Sequence, residues 1–231
     1  MIVLLLWAAV AGEPREAKVT LRPVASLPEG AALATNRGEL RVEAGAASLR
    51  WRGGRLVREP GPPAAVDAEP PQAADCAEGT EGEPVRGGSA RGQRCGAVVD
   101  LAWTHRAGDA ALRLSVGEGA LAVHGDDDRL ALVSMDASGW VAELWRPRDV
   151  APLRWVSHAL PLGEPVTLPR WSPRRRDPTP ALRVRLGLPA TDGAEQVQLW
   201  GSDIWVMSSG ASGLRLLHGR LPSVDSGVPE R

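Results

Sequence analysis

The residues able to do chemistry in this chain are few, and most are wrongly spaced. Asp126, Asp127 and Asp128 are adjacent carboxylates, a type that gathers divalent cations. A calcium loop needs oxygens at alternating positions and a glycine at its sharp turn, and Arg129 stands where the run would continue. The run reads as a solvated strand-to-strand turn, and no metal ligand is assigned. His105, His124, His158 and His218 are scattered, with no His-Glu-x-x-His pair to hold zinc. Ser208-Ser209-Gly210-Ala211-Ser212-Gly213 is not Gly-x-Ser-x-Gly and opens no strand-turn-helix element, so it reads as a turn. Phosphate-cradling glycine motifs are absent. The expectation is a protein with no catalytic residues and no cofactor.

The best surface candidate is Trp171 followed by Arg174, Arg175 and Arg176. Adjacent guanidinium forks beside an indole can grip an anionic polymer by paired hydrogen bonds and stacking. The alternative is a solvated loop. Nine Trp stand in a chain with no Phe and no Tyr. Some of them must then fill the core; Trp140, Trp145, Trp155, Trp200 and Trp205 lie in strand-like runs, where packing is favoured over a sugar-binding face.

Composition narrows the partners. Of 27 basic residues only Lys18 is lysine, a bias that accompanies abundant Ala, Gly and Pro and reads as GC-rich coding. Arginine enrichment alone therefore does not mark an anion site. The net charge of −1 supplies no field toward nucleic acid or anionic lipid.

The first residues, Ile2 to Val10, are apolar but shorter than the roughly 20 residues a spanning helix needs. Ala9-Val10-Ala11 fits a signal-peptidase site with the cut after Ala11, and no later segment reaches membrane-spanning length. Cys76 and Cys95 are the only cysteines and lack the close partners of a zinc or Cys-x-x-Cys site. In an oxidising compartment they can pair and close a loop.

The elements that must position these residues read as strands. Val19 to Arg22, Gly38 to Glu43, and Leu49 to Arg58 around Gly53-Gly54 form a small β-meander, expected to place Trp51 opposite Leu56. Residues 60–95 are rich in Pro, Gly and Glu and lack large apolar residues, which predicts a linker or long loop. From 96 onward, runs of four to eight residues recur between Gly, Pro, Asp and Ser: Ala97 to Trp103, Leu112 to Val116, Leu130 to Met135, Trp140 to Pro147, Leu182 to Leu188, Val197 to Trp200, Ile204 to Met207 and Leu214 to Leu217. That is the pattern of an all-β sandwich or barrel. The hairpin Leu130 to Trp145 turns at Asp136-Ala137-Ser138-Gly139, with Asp first and Gly fourth as a type I turn prefers.

Residues from about 108 to 203 resemble a bacterial domain family of unknown function, found appended to signalling kinases, caspase-like peptidases and envelope proteins. The resemblance rests on the strand Leu130 to Met135, the turn Asp136 to Gly139, and the strand Trp140 to Pro147. It continues in Leu162-Gly163-Glu164, Leu168-Pro169 and Gly193 to Asp203. Trp145 replaces the family's Tyr or Phe before Pro, and Arg174 to Arg176 are inserted. It implies a β-sandwich accessory or sensing module without catalytic residues.

The expected organisation is a signal peptide over 1–11, a small β unit over 12–59, a linker over 60–95, an antiparallel β-sandwich over 96–221 and a flexible tail over 222–231. The expected function is a non-enzymatic accessory or interaction module, exported to the bacterial periplasm or exterior. Its partner would be an envelope protein or a glycan, and not nucleic acid. The alternatives are a Trp- and Arg-based glycan or anionic-polymer binder, and an exported hydrolase with an unrecognised site.

Overall fold

A computed structural model describes residues 14–36, 39–45, 47–59, 76, 82–117, 119–137, 139–150, 179–188, 193–211 and 213–224. These hold seventeen strands and one 3₁₀ turn, Pro147–Asp149. In chain order the first strands are β1 (Arg15–Thr20) and β2 (Arg22–Ser26). Blade I follows as β3 (Ala32–Asn36), β4 (Glu39–Ala44), β5 (Ala47–Arg52) and β6 (Arg55–Glu59). Blade II is β7 (Glu83–Gly87), β8 (Ala90–Cys95), β9 (Val98–His105) and β10 (Gly108–Ser115). Blade III is β11 (Ala122–Gly125), β12 (Leu130–Asp136), β13 (Gly139–Trp145) and β14 (Leu182–Gly187). Blade IV is β15 (Gly193–Trp200), β16 (Asp203–Gly210) and β17 (Gly213–Arg220), completed by β2.

Each blade is an antiparallel meander, and the four sheets form a four-bladed, propeller-like ring. The first strands of successive blades meet in the middle: β7 touches β11, β11 touches β15, and β15 touches β3. The N-terminal segment closes the ring. β2 pairs antiparallel with β17 as the fourth strand of blade IV, and β1 adds a parallel fifth strand to β14 of blade III.

This corrects the expected two-layer sandwich, though the all-β class stands. Among the described residues, three apolar cores lie between blades. Leu101, Trp103, Leu112, Leu130 and Trp145 fill the junction of blades II and III. Ala131, Val133, Val184, Leu199 and Leu217 fill that of blades III and IV. Leu33, Leu40, Val42, Trp205 and Leu216 fill that of blades IV and I. β12 supplies both sides of its sheet, which is why Leu130 to Val133 is apolar without alternation.

The fourth junction differs. The other face of blade I carries Arg50, paired with Glu39 at 3.0 Å and Glu59 at 2.7 Å. The other face of blade II carries Arg113 near Asp100 at 3.4 Å. Among the described residues no apolar cluster joins blades I and II.

Blades II and III approach by backbone. Ser89 donates its N–H to the Gly125 carbonyl at 2.8 Å, and Gly88 bridges Gly125 in parallel. A Cβ on Gly87 would stand 1.8 Å from the Val123 carbonyl oxygen, so only glycine permits this contact.

The linker expectation extends too far, since residues 83–87 and 90–95 are β7 and β8. Glycines and Pro84 mask their strand character in the sequence. The N-terminal region is not self-contained either, because β1 and β2 belong to blades III and IV. In the expected tail, Val224 is buried in the core of blades III and IV. Residues 1–11, 60–75, 77–81 and 225–231 lie outside the described residues.

Candidate functional site

Alternating strand direction sends the connections to two opposite ends of the ring. At the front lie the turns after β7, β9, β11, β13 and β15. Cross-links show that they share one end: Arg106 N–H donates to the Asp127 carbonyl, Arg129 Nη2 to Ser202 Oγ at 3.1 Å, and Leu221 N–H to the Ser202 carbonyl. At the rear, Arg94 donates to the Gly117 and Gly119 carbonyls at 2.8 and 2.7 Å.

The front holds a cleft of about 460 Å³ between blades II and III. Three connections build it. The β9–β10 turn brings His105 and Arg106, the β11–β12 turn brings Asp128, and the 3₁₀ turn after β13 brings Arg146, Arg148 and Val150. That volume lies within the range of small-ligand sites, about 300–1,000 Å³.

Each side chain is held by its own local chemistry. Ala107 N–H donates to His105 Nδ1 at 3.1 Å, which fixes the turn and leaves the ring proton on Nε2 of the neutral form. The ring packs on Trp103 with centroids 4.6 Å apart, and among the described residues the buried Nε2 has no hydrogen-bond partner. Burial holds the His105 pKa below the ordinary imidazole value, opposed in part by Asp109. Arg146 is locked by Asp149, Nε to Oδ2 at 2.8 Å and Nη2 to Oδ1 at 2.9 Å, with the Arg146 N–H also on Oδ2. Arg106 instead pairs with Asp128 at 3.0 Å where both side chains are about 70% exposed, 72% and 70%. Such a pair contributes at most about 1 kcal/mol.

The three adjacent aspartates separate by role. Asp126 Oδ1 accepts the N–H groups of Asp128 and Arg129 at 2.9 and 2.8 Å, so it closes the turn. Asp128 faces the cleft with Arg106. Among the described residues no cluster of His, Cys, Asp and Glu is arranged to hold a metal ion.

Of the other histidines, His158 lies outside the described residues, and His124 and His218 lie away from the cleft. His124 is buried in β11, its ring 4.8 Å from that of Trp200. Burial lowers its pKa, Asp126 opposing and Arg129 adding. His218 contacts Asp203 at 2.9 Å, with its ring between Trp51 and Trp205 at 5.3 and 5.5 Å. This is a His–Asp contact of the kind an exported hydrolase needs. Among the described residues no hydroxyl or thiol is bonded to His218, and the pair serves the junction of blades IV and I.

Trp171, Arg174, Arg175 and Arg176 lie outside the described residues. Their connection, residues 151–178, leaves from Val150 at the cleft and returns at Thr179. Ala181 then donates its N–H to the Leu144 carbonyl at 2.8 Å. Cys76 and Cys95 are disulfide-bonded, with Cα atoms 5.8 Å apart, and Cys76 is buried. Trp103, Trp145 and Trp205 fill cores, Trp140 is half-buried, Trp155 lies outside the described residues, and Trp200 is 37% exposed.

Sequence reasoning missed His105, Arg106, Arg146 and Arg148 as neighbours. Their signal was available: charged residues stand at the tips of hairpins whose strands are otherwise apolar. Which tips share an end depends on the blade arrangement.

No family model, curated protein or solved structure matches the chain.

Proposed function

We propose that the chain is an exported, non-enzymatic interaction module of the bacterial envelope that engages its partner through the front of the ring. The cleft between blades II and III carries this reading. Side chains from three separate connections converge there on strands fixed by apolar packing, as a binding site requires. Export is supported by the apolar Ile2 to Val10 with Ala9-Val10-Ala11, and by the Cys76–Cys95 bond. A fluorescent fusion should reach the periplasm or the medium, and N-terminal sequencing should begin at Gly12. A wholly cytosolic protein that retains Met1 would overturn the export claim.

A second reading, binding to a glycan, is favoured by Trp200 at the front end of β15. Its exposure contrasts with the buried Trp103, Trp145 and Trp205. Under this reading Trp200→Ala removes glycan-array signal, and an unchanged array rejects the indole as the platform.

A further inference from the structure

We propose that the front of the fourth junction, between blades I and II, binds an acidic polypeptide segment of a partner protein through Arg52 and Arg55 of blade I and Arg86 and Arg91 of blade II. This contact is separate from the cleft of blades II and III and does not rest on it.

Chain direction places the four arginines at one end. Leu33 N–H donates to Gln196 Oε1 at 2.7 Å, which sets the start of β3 beside the start of β15. β3 therefore ends at the front as β15 does, and so does β5 after two reversals. The turn after β7 is a front turn as well. Register then gives the faces. Arg52 stands opposite Arg55 across the Gly53-Gly54 turn, on the face that carries Arg50. Arg86 stands opposite Arg91, and Arg91 opposite Ala102, on the face of Asp100 and Arg113. The apolar cores occupy the opposite face of each blade, so these two faces border the fourth junction. Inner strands touch at β7 and β11, β11 and β15, and β15 and β3, and among the described residues β3 and β7 make no comparable contact.

The four are set apart from the other arginines of these faces. Arg41 and Arg50 pair with Glu59 at 3.6 and 2.7 Å, and Arg113 pairs with Asp100 at 3.4 Å. Arg52, Arg55, Arg86 and Arg91 are exposed and, among the described residues, have no ion pair. Two carboxylates of these faces stand outside the ion pairs. Glu43 lies at the rear end of β4, opposite Ala32, and Asp109 accepts the Thr104 hydroxyl at 2.8 Å. Like charges directly opposite each other destabilise a strand pair. A carboxylate bridging the two guanidinium groups of a pair reverses that, and both pairs are fork donors suited to it.

The same faces argue for a polypeptide. Their strands carry no aromatic ring on which a sugar or base could stack, and they offer exposed Val57 and Ala102 to small apolar side chains. The arginines are preset, since the Gly53-Gly54 turn holds the first pair and the bond from Ser89 N–H to the Gly125 carbonyl holds the hairpin of the second.

The test titrates the full chain into a fluorescein-labelled (Glu-Ala)5 peptide and follows anisotropy in 50 mM sodium chloride. Saturable binding is expected, weakened at 300 mM salt, with none to (Gln-Ala)5. Arg52→Gln with Arg55→Gln, and Arg86→Gln with Arg91→Gln, should each raise Kd about tenfold. Arg22→Gln with Arg58→Gln removes the same charge from other faces and should change Kd less than twofold. Both front variants should melt no lower than the wild type. Equal losses in all three double variants, or a lowered melting temperature in either front variant, overturn the proposal. So does polyphosphate binding through these arginines without peptide binding, which marks a phosphate polymer. The connection 60–82 has five carboxylates and no basic residue. Peptide binding seen only after Asp67→Asn with Glu69→Gln assigns the junction to that segment and overturns the external partner.

Discussion

The indole N–H of Trp103 donates to the Asp126 carbonyl oxygen at 2.8 Å. Trp103 is a fully buried residue of blade II, and Asp126 opens the β11–β12 turn of blade III. One bond thus ties the apolar junction to the turn that presents Asp128. Trp103→Phe removes the donor, orphans the carbonyl and leaves a void. It should cost about 2–3 kcal/mol, measured as a lower denaturant midpoint.

The close approach of β7 and β11 sets a second expectation. Gly87→Ala forces a Cβ into the Val123 carbonyl and must part the two strands. The loss should reach about 3 kcal/mol by thermal or chemical unfolding. At Gly45 an added Cβ meets nothing within 4 Å, so Gly45→Ala should cost only the strain of its φ of +58°. Equal losses at the two sites would contradict the backbone contact.

Burial, the leading cause, lowers the pKa of both His105 and His124 in the folded state. Below about pH 6.5 the unfolded chain therefore binds more protons than the folded one. The stability contributed by neutral histidine is full above that pH and is lost as pH falls through the folded values. Unfolding free energy measured from pH 7.5 to 5 should decline on the acid side. His105→Gln with His124→Gln should flatten that slope.

Cys76 and Cys95 close a loop of sequence separation 19. Replacing both by serine should cost about 3 kcal/mol in the chain-entropy account. Dithiothreitol should reproduce the loss in the wild-type protein and have no effect on the variant.

Strand identity was legible from residues 97 onward because alternation there is strong. β9 alternates Val99, Leu101 and Trp103 inward with Asp100, Ala102 and Thr104 outward. The hairpin pairings were legible too: Trp51 faces Leu56, and Asp136 faces Gly139. Asp136 also pairs with Arg183 across blade III, which no local pattern announces. The architecture was missed although Leu130-Ala131-Leu132-Val133 held its clue. An unalternating run marks a sheet covered on both faces, which a two-layer sandwich does not provide. β7 and β8 were missed because Gly87, Gly88 and Gly92 lower strand propensity at places where backbones pass within contact distance. The cleft was illegible because its residues come from three connections brought together only by blade order.

The most direct measurement is hydrogen exchange of the full chain with and without isolated cell envelope. The account predicts slowed exchange in 105–107, 126–129 and 146–150 at the front, and no change in 96–97, 116–117 and 136–137 at the rear. Protection confined to the rear turns, or none at either end, would contradict the front of the ring as the binding face.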